Sequence, residues 1–174
     1  MTTDIHSFDA LTGTSLHTLI LGTMPGTASL KARQYYAHPR NAFWPIICAL
    51  ISGHEPRYDT LQSSNYDQLC ESLLKHGYGL WDVLASCERP GSLDSAIRKH
   101  SEIPNDIAGL LSAHNELRTI AFNGQKAKQL FKRHIMLPDR TEPLEFVLLP
   151  SSSPAYASLS LQQKYEKWHQ LLCT

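Results

Sequence analysis

Leu19-Ile20-Leu21 form an apolar triplet that breaks at Gly22-Thr23-Met24-Pro25-Gly26. A polar run follows, carrying Lys31, Arg33, Gln34, Tyr35 and Tyr36, and it closes on His38-Pro39-Arg40-Asn41. Beyond it Phe43, Trp44, Ile47, Leu50 and Ile51 recur at the spacing of one helical face, up to Gly53. This stretch predicts a strand over Thr18–Leu21, a glycine turn, a loop, and a helix starting at Ala42. Pro45 falls in the first turn of that helix, where its missing N–H costs nothing. Residues 1–17 read as an irregular lead-in and His54–Asn65 as a surface loop. Tyr66–His76 reads as a helix with Leu69, Leu73 and Leu74 inward and Gly77 as its stop. Tyr78–Leu84 is a second strand-like segment, Pro90-Gly91 a turn, Ser92 the N-cap of a helix over Leu93–Lys99, and Ile107–His114 a further short helix. Arg118–Phe122 predicts a strand, with Asn123 capping a helix over Gln125–His134 that turns Ala127, Leu130 and Phe131 inward. Leu144–Leu149 is apolar enough for a strand covered on both sides, and Ser160 caps a final helix through Leu172.

Strands alternating with helical stretches predict a single α/β domain over residues 1–174, with helices on both faces of a mostly parallel sheet. In such a sheet the segments after Leu21, Phe122 and Leu149 leave by one edge. That gathers Thr23–Gly26, Asn123-Gly124 and Ser151–Tyr156 around one crevice, joined by Asp82 and by the rings of Tyr35 and Tyr36. There is no Gly-x-Gly-x-x-Gly and no Walker lysine, which disfavours ordinary dinucleotide and nucleoside triphosphate sites.

Composition narrows this further. Sixteen acidic and sixteen basic residues give a formal charge of zero, so a polyanionic partner would need a local basic patch. Cys48, Cys70, Cys87 and Cys173 are scattered and never form Cys-x-x-Cys, which argues against a zinc or iron–sulfur site and for reduced thiols. No apolar run approaches a membrane span, and MTTDIHSFDALTG does not read as a signal peptide. The expectation is a cytoplasmic, cofactor-free, metal-free monomer.

Three motifs, each at a strand end, then resemble one family: GTMPG after the first strand, AHPRNAFW beyond it, and LPSSSPAY after the last, with NGQKA between. Together they resemble the uracil-DNA glycosylase superfamily, and within it the hypoxanthine-DNA glycosylase and mismatch-specific branches. The resemblance implies a three-layer α/β/α sandwich around a four-stranded, mostly parallel sheet. It also implies hydrolysis of the N-glycosidic bond of a deaminated base in double-stranded DNA, hypoxanthine foremost and mismatched uracil next. A nucleoid-associated role in base excision repair goes with that activity.

Carried onto this chain, the resemblance makes Gly22, Thr23, Met24, Pro25 and Gly26 the wall of the base pocket and Tyr36 an aromatic that stacks on the flipped base. Asn41 becomes the catalytic residue that positions water, and Ser151, Asn123 and Asp82 join the base pocket. Ser151, Ser152, Ser153, Pro154, Ala155 and Tyr156 form the loop that enters the minor groove. Lys31, Arg33, Arg40 and Lys126 are the candidate phosphate contacts. Mismatch-specific enzymes carry asparagine where Met24 stands, other branches carry glutamate where Thr23 stands, and Ser151 occupies the place of a base-holding histidine. Those departures favour the hypoxanthine branch.

Plainer readings stand beside these. Asn41 sits where a helix N-cap belongs, Tyr36 could simply pack, and Asp82 could be a strand-end turn residue. Two other functions compete: a serine hydrolase using Ser152 and His38, which lacks a Gly-x-Ser-x-Gly elbow, and a damage-binding module without turnover.

Overall fold

The computed structural model describes residues 4–62, 65–140 and 142–173; the first three residues of the lead-in and residues 63–64 of the expected surface loop lie outside them. Strands β2 (Thr18–Gly22), β3 (Tyr78–Asp82), β6 (Thr119–Asn123) and β7 (Glu145–Leu149) run parallel in the order β3-β2-β6-β7. Side chains alternate along them. Leu19, Leu21, Ile120 and Phe122 enter one core, Ile20 and Ala121 the other. An unbroken apolar triplet suits a strand whose two faces are both covered.

Helices α4 (Ile107–Ala113) and α5 (Gln125–His134) close the first core through Ile107, Leu111, Ala127, Leu130 and Phe131. Helices α2 (Phe43–Ser52), α3 (Tyr66–Lys75) and α6 (Leu161–Leu172) close the second through Phe43, Trp44, Ile47, Leu73 and Trp168. The fold is a three-layer α/β/α sandwich, as the motifs implied. Helix ends follow local chemistry: Gly53 ends α2 at φ 73°, and Ser160 with Gln163 forms a capping box on α6.

Several expectations need correction. The lead-in is not irregular throughout. Its β1 (Asp4–His6) pairs antiparallel with β4 (Leu84–Glu88), Leu11 bridges the outer edge of β3 at Leu80, and Leu16 is buried. Tyr78–Leu84 is likewise not one strand. Val83 separates β3 from β4, which leaves the main sheet and builds a small antiparallel one with β1 and β5 (Ile103–Pro104). The polar run after Gly26 contains a six-residue helix, α1 (Thr27–Ala32), too short to show apolar periodicity.

The helix expected over Leu93–Lys99 is two isolated 3-10 turns, Asp94–Ala96 and Lys99–Ser101. Extended backbone at Leu93, Ile97 and Arg98 interrupts any longer helix. Strand β7 is an edge, not a covered strand: Val147 and Leu149 are buried while Phe146 and Leu148 face outward. Asn123 does not cap α5; Gly124 takes that position with φ 101°, a conformation suited to glycine.

Candidate active site

Parallel register carries the ends of β2, β3, β6 and β7 to one edge, with Gly22 opposite Asp82 and Asn123 opposite Leu149. A cleft of about 410 Å³ opens there. Of the residues gathered there from the sequence, Gly22–Gly26, Tyr36, Asn41, Asp82, Asn123 and Ser151–Tyr156 line it, and Gly124 does not. Lys31, Arg33, Arg40 and Lys126 are not among the lining residues.

The floor is acidic and tightly packed. Asp82 is 3% exposed, and its Oδ2 accepts a hydrogen bond from Ser7 Oγ at 2.9 Å. Burial pushes its carboxyl up to about 7, with the nearby charge of Asp94 adding to the rise while the Ser7 hydroxyl and Arg89 oppose it. Across the floor, Tyr36 adopts φ 54°, and its ring stacks on Phe43 at 4.1 Å between centroids. Its hydroxyl is enclosed and makes no hydrogen bond among the described residues. The Asn123 amide lies close enough to favour its charged form, but burial and Asp82 dominate and hold the phenol well above its ordinary value. Gly22 is required between these groups. A Cβ there would sit 2.5 Å from Asp82 Oδ1 and 2.8 Å from Tyr36 Oη.

The rear wall depends on asparagines. Asn41 Oδ1 accepts the Phe43 N–H at 3.0 Å, one position before the formal cap at Ala42. That bond satisfies a helix-end donor and fixes the side chain at the cleft. Asn123 Nδ2 donates to Ser152 Oγ, and Ser152 N–H donates back to Asn123 Oδ1, both at 2.8 Å. Ser152 is therefore buried, 1% exposed, while Ala155 and Tyr156 project. Helix α6 braces the same loop: Lys164 Nζ donates to Ser153 O at 3.0 Å, and Trp168 Nε1 donates to Pro150 O at 2.9 Å. Tyr35 is a core residue as much as a lining one, its hydroxyl donating to Asp9 O and its carbonyl accepting from Trp44 Nε1.

The sequence reading missed the front wall. Arg89 is 2% exposed, and its guanidinium donates to the carbonyls of Pro25, Met24 and Gly91. It also pairs with Asp94 at 3.6 Å. Ser92 Oγ accepts the Thr27 N–H at 2.9 Å, so this segment clamps the glycine turn from outside. Asp94 itself lines the cleft. Arg89 follows Cys87-Glu88 and precedes Pro90, a context that carries no sequence signal for a buried cation.

The sequence pattern of the uracil DNA glycosylase superfamily matches residues 11–172. The chain belongs to that superfamily. Two relatives carry the name hypoxanthine DNA glycosylase. That of Methanosarcina acetivorans is 34% identical over 91% of this chain and 92% of its own, and that of Methanosarcina barkeri 38% identical over 63% and 64%. The solution NMR structure of a candidate uracil DNA glycosylase from Methanosarcina acetivorans superposes with TM-score 0.74 at 32% identity, covering 96% of this chain and 95% of that one.

Within this superfamily member the basic candidates lie at the surface. Lys31 and Arg33 project from the end of α1, and Arg40 from the loop before α2. Lys126 is partly exposed and close enough to act on the charge of Asp94. Among the described residues none of the four has an ion-pair partner. No group of three or more histidine, cysteine, aspartate or glutamate side chains among the described residues could hold a metal.

Proposed function

We propose that this superfamily member extrudes a deaminated base from duplex DNA and hydrolyses its N-glycosidic bond, with hypoxanthine the preferred base and mismatched uracil second. The observation that carries the reading is the cleft itself. Asn41, the Gly22–Gly26 backbone and Ser151 line its walls, and Asp82 forms its floor. A duplex hides the glycosidic bond, so the nucleotide must swing out at a cost of a few kcal/mol, less when it is mispaired. Bond cleavage then passes through an oxocarbenium-like sugar, which needs a held water and stabilisation of the leaving base.

Asn41 is suited to hold that water. Its Oδ1 is anchored on Phe43 N–H, so the amide stays at the cleft in a fixed orientation. Asp82 accepts the ring N–H that hypoxanthine and uracil share, and backbone amides near Thr23, with Ser151, donate to the base. Tyr36 packs against the base with the ring that Phe43 backs. Asn123 and the buried Ser152 hold the Ser151–Tyr156 loop in shape, and its projecting residues fill the vacated space in the minor groove. Lys31, Arg33, Arg40 and Lys126 contact phosphates, so affinity falls with added salt. On this reading the chemistry is hydrolysis, without the Schiff base that strand cleavage would require.

Duplexes carrying inosine, uracil, xanthine or thymine opposite each base, treated with alkali after incubation, test this. Release of base from inosine with Asn41→Ala inactive and folded is the expected result. Undiminished turnover in Asn41→Ala would remove its assigned role. Tight binding to inosine duplex without turnover would favour the damage-binding alternative, which the absence of an acid or amide side chain at Thr23 and Met24 motivates.

A further inference from the structure

Two carboxylates line the cleft, and they differ in kind. Asp82 is enclosed, has one oxygen occupied by Ser7, and is held largely neutral below pH about 7. Asp94 is open: its side chain is 40% exposed and it lies beside Thr23, in the wall of the glycine turn. Burial in the cleft raises its pKa, while the Thr23 hydroxyl and the charges of Arg89 and Lys126 oppose the rise. Arg89, its guanidinium locked on three backbone carbonyls, brings a positive charge to 3.6 Å from Asp94 Oδ1.

We propose that Asp94 is a second catalytic residue, the anion that faces the sugar and takes the proton of the attacking water. This rests on the glycosylase reading above. Hydrolysis through a cationic sugar calls for an anion beside the reacting carbon, and neither Thr23 nor Met24 can provide one. An amide such as Asn41 can orient a water but cannot accept its proton. In the step, the electron pair of the C1′–N bond leaves with the base. A water oxygen bonds to C1′ and gives a proton to Asp94. That proton passes through solvent to the departing base, so one water is divided between sugar and base and the carboxylate is regenerated. A carboxylate delivered by the 3-10 turn at Asp94–Ala96 thus stands beside the position where the glycine turn carries threonine.

Single-turnover release of hypoxanthine from an inosine duplex, measured beside duplex affinity by fluorescence anisotropy, tests the proposal with Asp94→Asn and Asp94→Ala. The expected result is a rate lowered about 100-fold in each, with duplex affinity held within about two-fold. Added formate, a small carboxylate able to enter the vacated space, is expected to restore turnover to Asp94→Ala and leave the wild type unchanged. A merely structural role for Asp94 would give no rescue, and that outcome would overturn the proposal, as would an Asp94→Asn rate within about two-fold of wild type. No base release by the wild-type protein from any duplex would defeat the glycosylase reading itself, a result separate from either of these.

Discussion

Asn123 and Ser152 hydrogen-bond to each other twice, side chain to side chain and side chain to backbone, and both bonds measure 2.8 Å. The pair joins the end of β6 to the loop after β7, across a sheet edge where no ladder bond can reach. Asn123→Ala leaves the Ser152 N–H buried and unpaired, which costs about 1–3 kcal/mol. Urea denaturation should show that loss, and duplex affinity should fall with it because the loop loses its register. Asn123→Asp retains the acceptor for Ser152 N–H and is expected to lose less affinity.

Arg89 is the corresponding brace at the front of the cleft. Its hydrogen bonds to the Pro25, Met24 and Gly91 carbonyls are charge-assisted and dry. Arg89→Met removes all of them and should lower stability by about 3 kcal/mol. Arg89→Lys keeps the charge but not the planar fork, so it is expected to fall between wild type and Met in a thermal melt. A lysine variant as stable as the wild type would show that charge alone holds the turn.

Asp82 makes stability depend on pH. Its carboxyl titrates near 7 in the folded chain against an ordinary value of 3.8, so between those values the native state binds more protons than the unfolded state. Stability therefore falls as pH rises from about 4 to about 7 and levels off above, by a few kcal/mol. Asp82→Asn should flatten this slope in urea titrations taken across the window. On the proposed role, excision by the wild type increases as pH passes about 7, because the ionised carboxylate accepts the ring N–H more strongly than the neutral acid does, and Asp82→Asn loses that dependence.

Lys164 offers a way to separate loop placement from pocket chemistry. It is 3% exposed, donates to Ser153 O at 3.0 Å, and lies 5.5 Å over the Tyr156 ring. Burial lowers its amine below the ordinary lysine range, yet the carbonyl and the ring both favour its charged form. Lys164→Met keeps the aliphatic stem and removes the donor. The expected effect is duplex affinity weakened about ten-fold, an amount near 1.4 kcal/mol, with the rate of base release from bound duplex unchanged. A change in rate with affinity preserved would place Lys164 in the chemistry instead.

The sequence by itself determined the layers, because the Leu19-Ile20-Leu21 triplet and the helical stripe from Phe43 to Ile51 each encode which faces must be covered. It also determined the rear and floor of the cleft, since Gly22, Asp82 and Asn123 all end strands and parallel register carries strand ends to one edge. Short-range pattern could not reveal what depends on distant pairing. The split of Tyr78–Leu84 at Val83 exists because β1, some eighty residues earlier, offers β4 a partner. Phe146 and Leu148 read as covered and are not, because strand order and not composition makes β7 an edge. Arg89 and Lys164 look like ordinary surface cations until the fold turns backbone carbonyls toward them. The glycine turn that stands out in the sequence is held in place by Arg89, a residue whose importance only the tertiary structure decides, since its partners lie 64 and 65 positions away along the chain.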